Sequence, residues 1–263
     1  MKLKILIGFM LLGLSACVPS DVEYVNEKLT TTLPTSVQKN LVSNNTLKNV
    51  ANWTISCKPS LTPYSFKKLG SDDFQFVLEK GDQGNCQHDG KDYWEGKNKI
   101  YDFSERQEIL SMLPGDGEYL FSAKVHVQNL SGPALRSTIF QIHDTGKGDA
   151  RQPPATYLAV NERGRFRLSR CDTARGPKAK SCKTSGIWLR HLPKEPFQLT
   201  VRFKIKDKNV WADYYINDAH LISAENKIWG RPFVKIGIYR INALGKTIQT
   251  YRDVALVKVV QPK

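Results

Sequence analysis

Three short segments of this chain place chemically able polar side chains two residues apart. Arg106 and Glu108 stand in Ser104-Glu105-Arg106-Gln107-Glu108-Ile109, and Gln141 and His143 in Ile139-Phe140-Gln141-Ile142-His143. Lys235, Gly237 and Tyr239 stand in Phe233-Val234-Lys235-Ile236-Gly237-Ile238-Tyr239-Arg240. Arginine carries a permanent charge on a planar fork that fits a carboxylate. Glutamine can donate an amide hydrogen bond beside it. Histidine, with a reference pKa of about 6.5, suits a base, and tyrosine, at about 10, suits an acid. Gathered in one place, these groups could hold an anion and move a proton.

A spacing of two has that meaning only on β-strands, where successive side chains point to opposite faces. Each segment would then bury one row and display another. Phe140 and Ile142 oppose Gln141 and His143; Val234, Ile236 and Ile238 oppose Lys235, Gly237 and Tyr239. Gly237 would leave a gap where a ligand ring could approach the backbone. The rest of the chain agrees. Leu199, Val201, Phe203 and Ile205 alternate with Thr200, Arg202, Lys204 and Lys206, and Asp207-Lys208-Asn209 turns the chain into Val210–Ile216, which predicts a hairpin. Tyr119–Val127, Thr138–His143, Arg163–Arg170, Val234–Ile241 and Val254–Val260 are patterned similarly. Helical periodicity is weak, with Phe103–Met112 the one tempting stretch. The expectation is one all-β domain over 51–263, a sandwich or jelly roll of two antiparallel sheets with a polar groove over an apolar core.

Composition narrows the setting. The 263 residues hold 39 Lys+Arg against 25 Asp+Glu, a formal charge of +14, with 40% hydrophobic and 24% charged residues. That excludes a disordered chain, and no apolar run of about 18 residues follows the N-terminus, which excludes a polytopic membrane protein. Lys2 and Lys4, the apolar Ile5–Leu14 and a small-residue ending read as a secretory signal over 1–16. Leu14-Ser15-Ala16-Cys17 resembles the lipobox of bacterial lipoproteins, which implies a lipid anchor on Cys17. Val18 after it favours the outer membrane of the cell envelope. Removal of 1–16 deletes Lys2 and Lys4 and leaves +12. Residues 17–50 read as a polar tether. The remaining Cys57, Cys86, Cys171 and Cys182 are an even set suited to disulfides in an oxidising compartment. Three pairings are open. Cys57–Cys86 with Cys171–Cys182 is preferred, each bracketing a polar Gly/Lys-rich loop, and would stabilise by about 3.6 and about 3 kcal/mol. The absence of C-x-x-C spacing argues against a zinc site.

Arg106-Gln107-Glu108, Gln141-Ile142-His143 and Phe233-Val234-Lys235-Ile236-Gly237-Ile238-Tyr239, in that order over roughly 100–260, resemble the three motif strands of the β-jelly-roll polysaccharide lyases. The family-seven alginate lyases and the heparin-lyase-I-like proteins are the nearest groups; Gly-Ile-Tyr-Arg and Asp144 after the histidine lean toward the latter. The resemblance implies β-elimination in a uronic-acid polysaccharide. The proton at C5 lies α to a carboxylate, and its removal spreads negative charge onto that group, which Arg106 and Gln141 would stabilise. It further implies a Tyr/His division of proton transfer, with Tyr239 as acid and the base, His143 or Tyr239, depending on the epimer cleaved. Lys235, Arg240 and Arg136 are candidates for substrate carboxylate or sulfate contacts, and Glu108 joins this binding group as an orienting ion partner.

Other classes compete. A carbohydrate-binding lipoprotein could use the same sheet without needing His143 and Tyr239 together. A glycoside hydrolase would need carboxylates flanking the bond, and Glu105 and Glu108 lie on opposite strand faces. H-E-x-x-H and G-x-S-x-G signatures are absent. The basic run Arg163-Gly164-Arg165-Phe166-Arg167 would suit nucleic acid as well as an anionic glycan; export decides for the glycan. The expected protein is a monomer without a cofactor or metal, a loop-supporting calcium ion being left open.

Overall fold

The computed structural model describes residues 46–56, 66–79, 104–128, 136–145, 154–161, 163–170, 187–241 and 245–260. In chain order the strands among them are β1 (Thr46–Asn49), β2 (Thr54–Ile55), β3 (Phe66–Lys68), β4 (Phe74–Leu78) and β5 (Ser104–Met112). Next come β6 (Gly117–Gln128), β7 (Arg136–Asp144), β8 (Thr156–Val160), β9 (Arg165–Arg170) and β10 (Ile187–His191). The last are β11 (Phe197–Lys206), β12 (Asn209–Ile216), β13 (Ala219–Lys227), β14 (Pro232–Ile241) and β15 (Thr247–Val260).

They form two antiparallel sheets. The first has the order β13-β12-β11-β6-β15-β4-β3, with β1 also paired to β15; the second has the order β10-β9-β8-β7-β14-β5-β2. Alternation builds the core between them: Phe121 and Phe203 of the first sheet share one buried cluster with Phe140, Phe166, Ile236 and Ile238 of the second. The Phe121 and Phe140 rings lie 4.7 Å apart, centroid to centroid, across the interface. A phenylalanine buried this way contributes about 2–3 kcal/mol through apolar area removed from water.

The expected hairpin forms. Asp207 and Lys208 both take left-handed φ values, 50° and 64°, and Asn217 and Asp218 repeat the arrangement between β12 and β13. Two such central residues make the tight turn whose twist matches that of its strands.

Ser104–Met112, the stretch with the faint helical pattern, is strand β5, as the spacing of Arg106 and Glu108 required, with Ile109 buried in the core. One boundary shifts. The sandwich begins before residue 51: Leu47 is buried between exposed Thr46 and Lys48, and β1 pairs with Val257–Val260 of β15. One buried leucine and a ladder partner bring Thr46–Asn49 into the fold. Cys17, Cys57, Cys86, Cys171 and Cys182 lie outside the described residues.

Candidate active site

The three polar segments become neighbouring strands, with β14 between β5 and β7. On one side Tyr239 faces Arg106 and Gly237 faces Glu108. On the other Lys235 faces Gln141, Phe233 faces His143 and Tyr239 faces Thr138. The intervening Val234, Ile236 and Ile238 enter the core, so Arg106, Glu108, Gln141, His143, Lys235 and Tyr239 share the outer face of the second sheet. Residues distant in the chain are brought together by strand pairing alone.

Their contacts are specific. The Arg106 guanidinium carbon sits 4.1 Å from the centre of the Tyr239 ring, a cation–π contact worth about 0.5–2 kcal/mol. Glu108, only 1% exposed, accepts a hydrogen bond from the Gln141 amide at Oε1 and lies 3.6 Å from Lys235 Nζ through Oε2. The ion partner seen for Glu108 is Lys235. A buried carboxylate in that position aims the Gln141 amide nitrogen and retains the lysine charge on the face. One amide hydrogen of Gln141 remains for a ligand.

His143 stacks on Phe233, ring centroids 5.0 Å apart and planes 7° apart. Its Nδ1 lies 2.8 Å from both the backbone N and O of Asp144. If Nδ1–H donates to the carbonyl, Nε2 carries the lone pair and can take a proton; if Nδ1 accepts from the amide, Nε2–H is a donor. His143 and Tyr239 are both part-exposed. Along β14 the Phe233–His143 and Tyr239–Thr138 pairs bracket the Lys235–Gln141 pair, so the four polar residues follow one another along the face.

Gly237 shapes the space between them. Its φ is +120°, and a Cβ there would strike the backbone of Gln107 and come within 2.9 Å of Glu108 Cα. The β14–β7 register shifts between Ile236 and Tyr239, so Gly237 N and Ile139 O leave the regular ladder. The buried Tyr251 of β15 stands in: its hydroxyl accepts from Gly237 N at 3.3 Å and lies 2.7 Å from Ile139 O. That hydroxyl is also 2.7 Å from Gln249 Oε1, while Gln249 Nε2 donates to Ser137 Oγ and Thr138 O. A polar girder thus runs from the first sheet to the underside of the site. Tyr251 and Gln249 escape sequence reasoning because nothing in Thr247–Val260 separates them from ordinary inward-facing residues. Phe233 was legible only as a strand residue.

Arg240 is placed elsewhere. It is fully buried on the core side of β14, its Nη1 donating to Gly245 O at 2.5 Å and Thr247 Oγ1 at 3.0 Å. It ties β14 to the start of β15, and alternation from Tyr239 turns it away from the outer face on which a substrate contact was expected. Arg136 begins β7 opposite Ile241 and is described by its backbone alone. Among the described residues no group of three or more His, Cys, Asp or Glu side chains could hold a metal ion.

The sequence matches no protein-family model and no curated protein. Solved structures do match. Alginate lyase A1-II′, a member of polysaccharide lyase family-7, gives a TM-score of 0.53 at 12% identity, over 81% of this chain and 96% of that one. Alginate lyase AlyC3 gives 0.51 at 12% identity, over 76% and 80%. An alginate lyase from Pseudomonas aeruginosa gives 0.50 at 14% identity, over 84% and 99%. At these identities the likeness is one of architecture: this chain has the two-sheet antiparallel jelly-roll fold of family-seven alginate lyases.

Proposed function

We propose that the protein is a polysaccharide lyase that cleaves a uronic-acid polysaccharide by β-elimination. One observation carries the reading: three strands far apart in sequence set Arg106, Gln141, His143, Lys235 and Tyr239 on one sheet face, around a buried Glu108 held by Gln141 and Lys235. Likeness of fold to alginate lyases supports it.

The uronate carboxylate binds between the Arg106 fork and the Gln141 amide, which accept the charge that spreads onto it as the C5 proton leaves. His143 takes that proton in the tautomer with a bare Nε2. The C5–H electrons form the C4–C5 double bond, the C4–O4 bond breaks, and the Tyr239 hydroxyl gives its proton to the departing O4. For the opposite epimer, whose C5 proton faces the other way, Tyr239 serves as base as well. Glu108 acts through Gln141 and Lys235 and is a positioning residue.

The setting belongs to the same proposal: a lipid anchor on Cys17, attachment to the outer membrane of a bacterial envelope, two disulfides among Cys57, Cys86, Cys171 and Cys182, and a monomer meeting an anionic glycan. The test is incubation with alginate, polyglucuronate, heparan-type chains and capsular uronates. Ultraviolet absorbance from an unsaturated uronate is expected with at least one polymer, and Tyr239→Phe should lower its rate by about a hundredfold or more while the fold stays intact. Reducing ends without that absorbance would mean hydrolysis, and binding without either would mean a non-catalytic module.

A further inference from the structure

The rim of the sandwich carries a second gathering of polar side chains, away from the face that holds Tyr239. β11 starts with Phe197 opposite Val125 of β6, so the connection from β10 passes the end of β6 on its way between the sheets. A cavity of about 580 Å³ opens there, lined by His126 and Gln128 of β6, Arg163 of the β8–β9 turn, and His191, Leu192 and Lys194 at and after the end of β10. Its walls are held in place. Buried Asn161 accepts at Oδ1 from Arg163 N at 3.1 Å and from Arg165 N at 2.8 Å, which fixes the turn. Gly164 donates from N to Asn161 O at 2.9 Å and accepts at O from Leu192 N at 2.6 Å, which joins the turn to the segment after β10. His126 and Gln128 belong to the outward row of β6, since Val125 and Val127 enter the core. His126 is part-exposed, and Gln128, Arg163, His191 and Lys194 are exposed. No aspartate or glutamate among the described residues lines the cavity.

We propose that this cavity binds a sugar-sized phosphate or sulfate ester. Three separate elements bring nitrogen-bearing side chains to one space, and such an ester presents three terminal oxygens that accept hydrogen bonds, whereas a carboxylate offers two in one plane. Arg163 and Lys194 supply full charges; the imidazoles and the Gln128 amide supply directional N–H donors. The volume falls in the range of small-molecule sites and far exceeds a bare ion, which selects an ester carried on a larger body, with Leu192 giving that body an apolar contact. The site is independent of the lyase reading, since none of these residues belongs to β5, β7 or β14.

The test titrates the full chain with glucose 6-phosphate, glucose 6-sulfate, inorganic phosphate, inorganic sulfate and glucuronate, followed by calorimetry and by the ring signals of the five histidines in nuclear magnetic resonance. At least one ester should bind about tenfold or more tighter than its inorganic ion and than glucuronate, and should move the His126 and His191 signals while His220 stays in place. The preferred ester identifies the source, a phosphorylated or a sulfated compound. Lys194→Ala should weaken that ester about tenfold or more, and His191→Gln should weaken it too. Lys204→Ala, which removes an exposed β11 lysine outside the cavity, should leave it unchanged. Absence of ester binding, an inorganic ion or glucuronate binding as tightly, or unmoved His126 and His191 signals would overturn the proposal. So would equal losses from Lys194→Ala and Lys204→Ala, which would mean diffuse attraction to a basic surface. Uronate cleavage is read separately, so failure of either reading leaves the other standing.

Discussion

Glu108 is almost entirely withdrawn from water and has a lysine ammonium and an amide for company. Taking a carboxylate into such a place costs several kcal/mol, which the ammonium and amide offset, so removing one partner is worse than never having had the pair. Glu108→Ala leaves Lys235 nearly buried without its carboxylate and releases the Gln141 amide. The expected loss is about 3 kcal/mol of stability, read as a lowered denaturation midpoint, with turnover falling further than the folded fraction does. Unchanged stability would show that the pair is not held as described. Alternation made it legible that Arg106 and Glu108, Gln141 and His143, and Lys235 and Tyr239 share a face, because each lies two or four from the other on its strand; that Arg106 meets Tyr239 and Gln141 meets Lys235 depends on strand order and register, which alternation does not carry. Arg240 shows where that reasoning slips: proximity to Tyr239 in sequence suggested a shared task, whereas alternation turns it into the core.

At the scale of the element, β14 carries an irregularity that its neighbours must support. Gly237 N and Ile139 O meet through the Tyr251 hydroxyl, which reaches them from the other sheet. Tyr251→Phe keeps the ring contact with Phe76, an edge-on packing at 5.6 Å, and removes only the hydroxyl. Leaving buried backbone groups without that partner should cost about 1–3 kcal/mol, and kcat should drop more than KM rises because the bulge sets the aim of Tyr239. A variant with native kcat would show that the hydroxyl does not position the site. The edges of β11 and β12 were legible from alternation and their turn. β8 was not: Thr156–Val160 is buried at every position, so no alternation marks it. β13, with a mostly polar sequence at the sheet edge, offers equally little apolar pattern. The girder of Tyr251 and Gln249 was invisible because its meaning depends on which strand of the other sheet it faces.

Over the whole molecule, the first sheet holds buried hydroxyls that resist ionisation. Tyr119 is pushed up to about 12 from an ordinary value of 10.0, first by burial and then by Asp116. Tyr214 and Tyr251 are raised as well, chiefly by burial. In the unfolded chain these phenols lose their protons near 10, so the folded state binds more protons above that pH and its stability falls as pH rises. The stability they contribute is fully present below pH 10 and, for Tyr119, is lost between 10 and about 12. Stepwise alkaline titration followed by circular dichroism and tyrosinate absorbance should show unfolding and ionisation together; tyrosinate signal from all ten tyrosines in a still-folded protein would contradict the burial. The same sandwich gathers Arg106, Lys235 and Tyr239 on one sheet face, and the elimination proposed there is what the account stands on. The most direct measurement is cleavage of a uronate polymer in oxygen-18 water. Elimination predicts new chain ends that carry a double bond and no solvent oxygen, whereas ends labelled with solvent oxygen would contradict it.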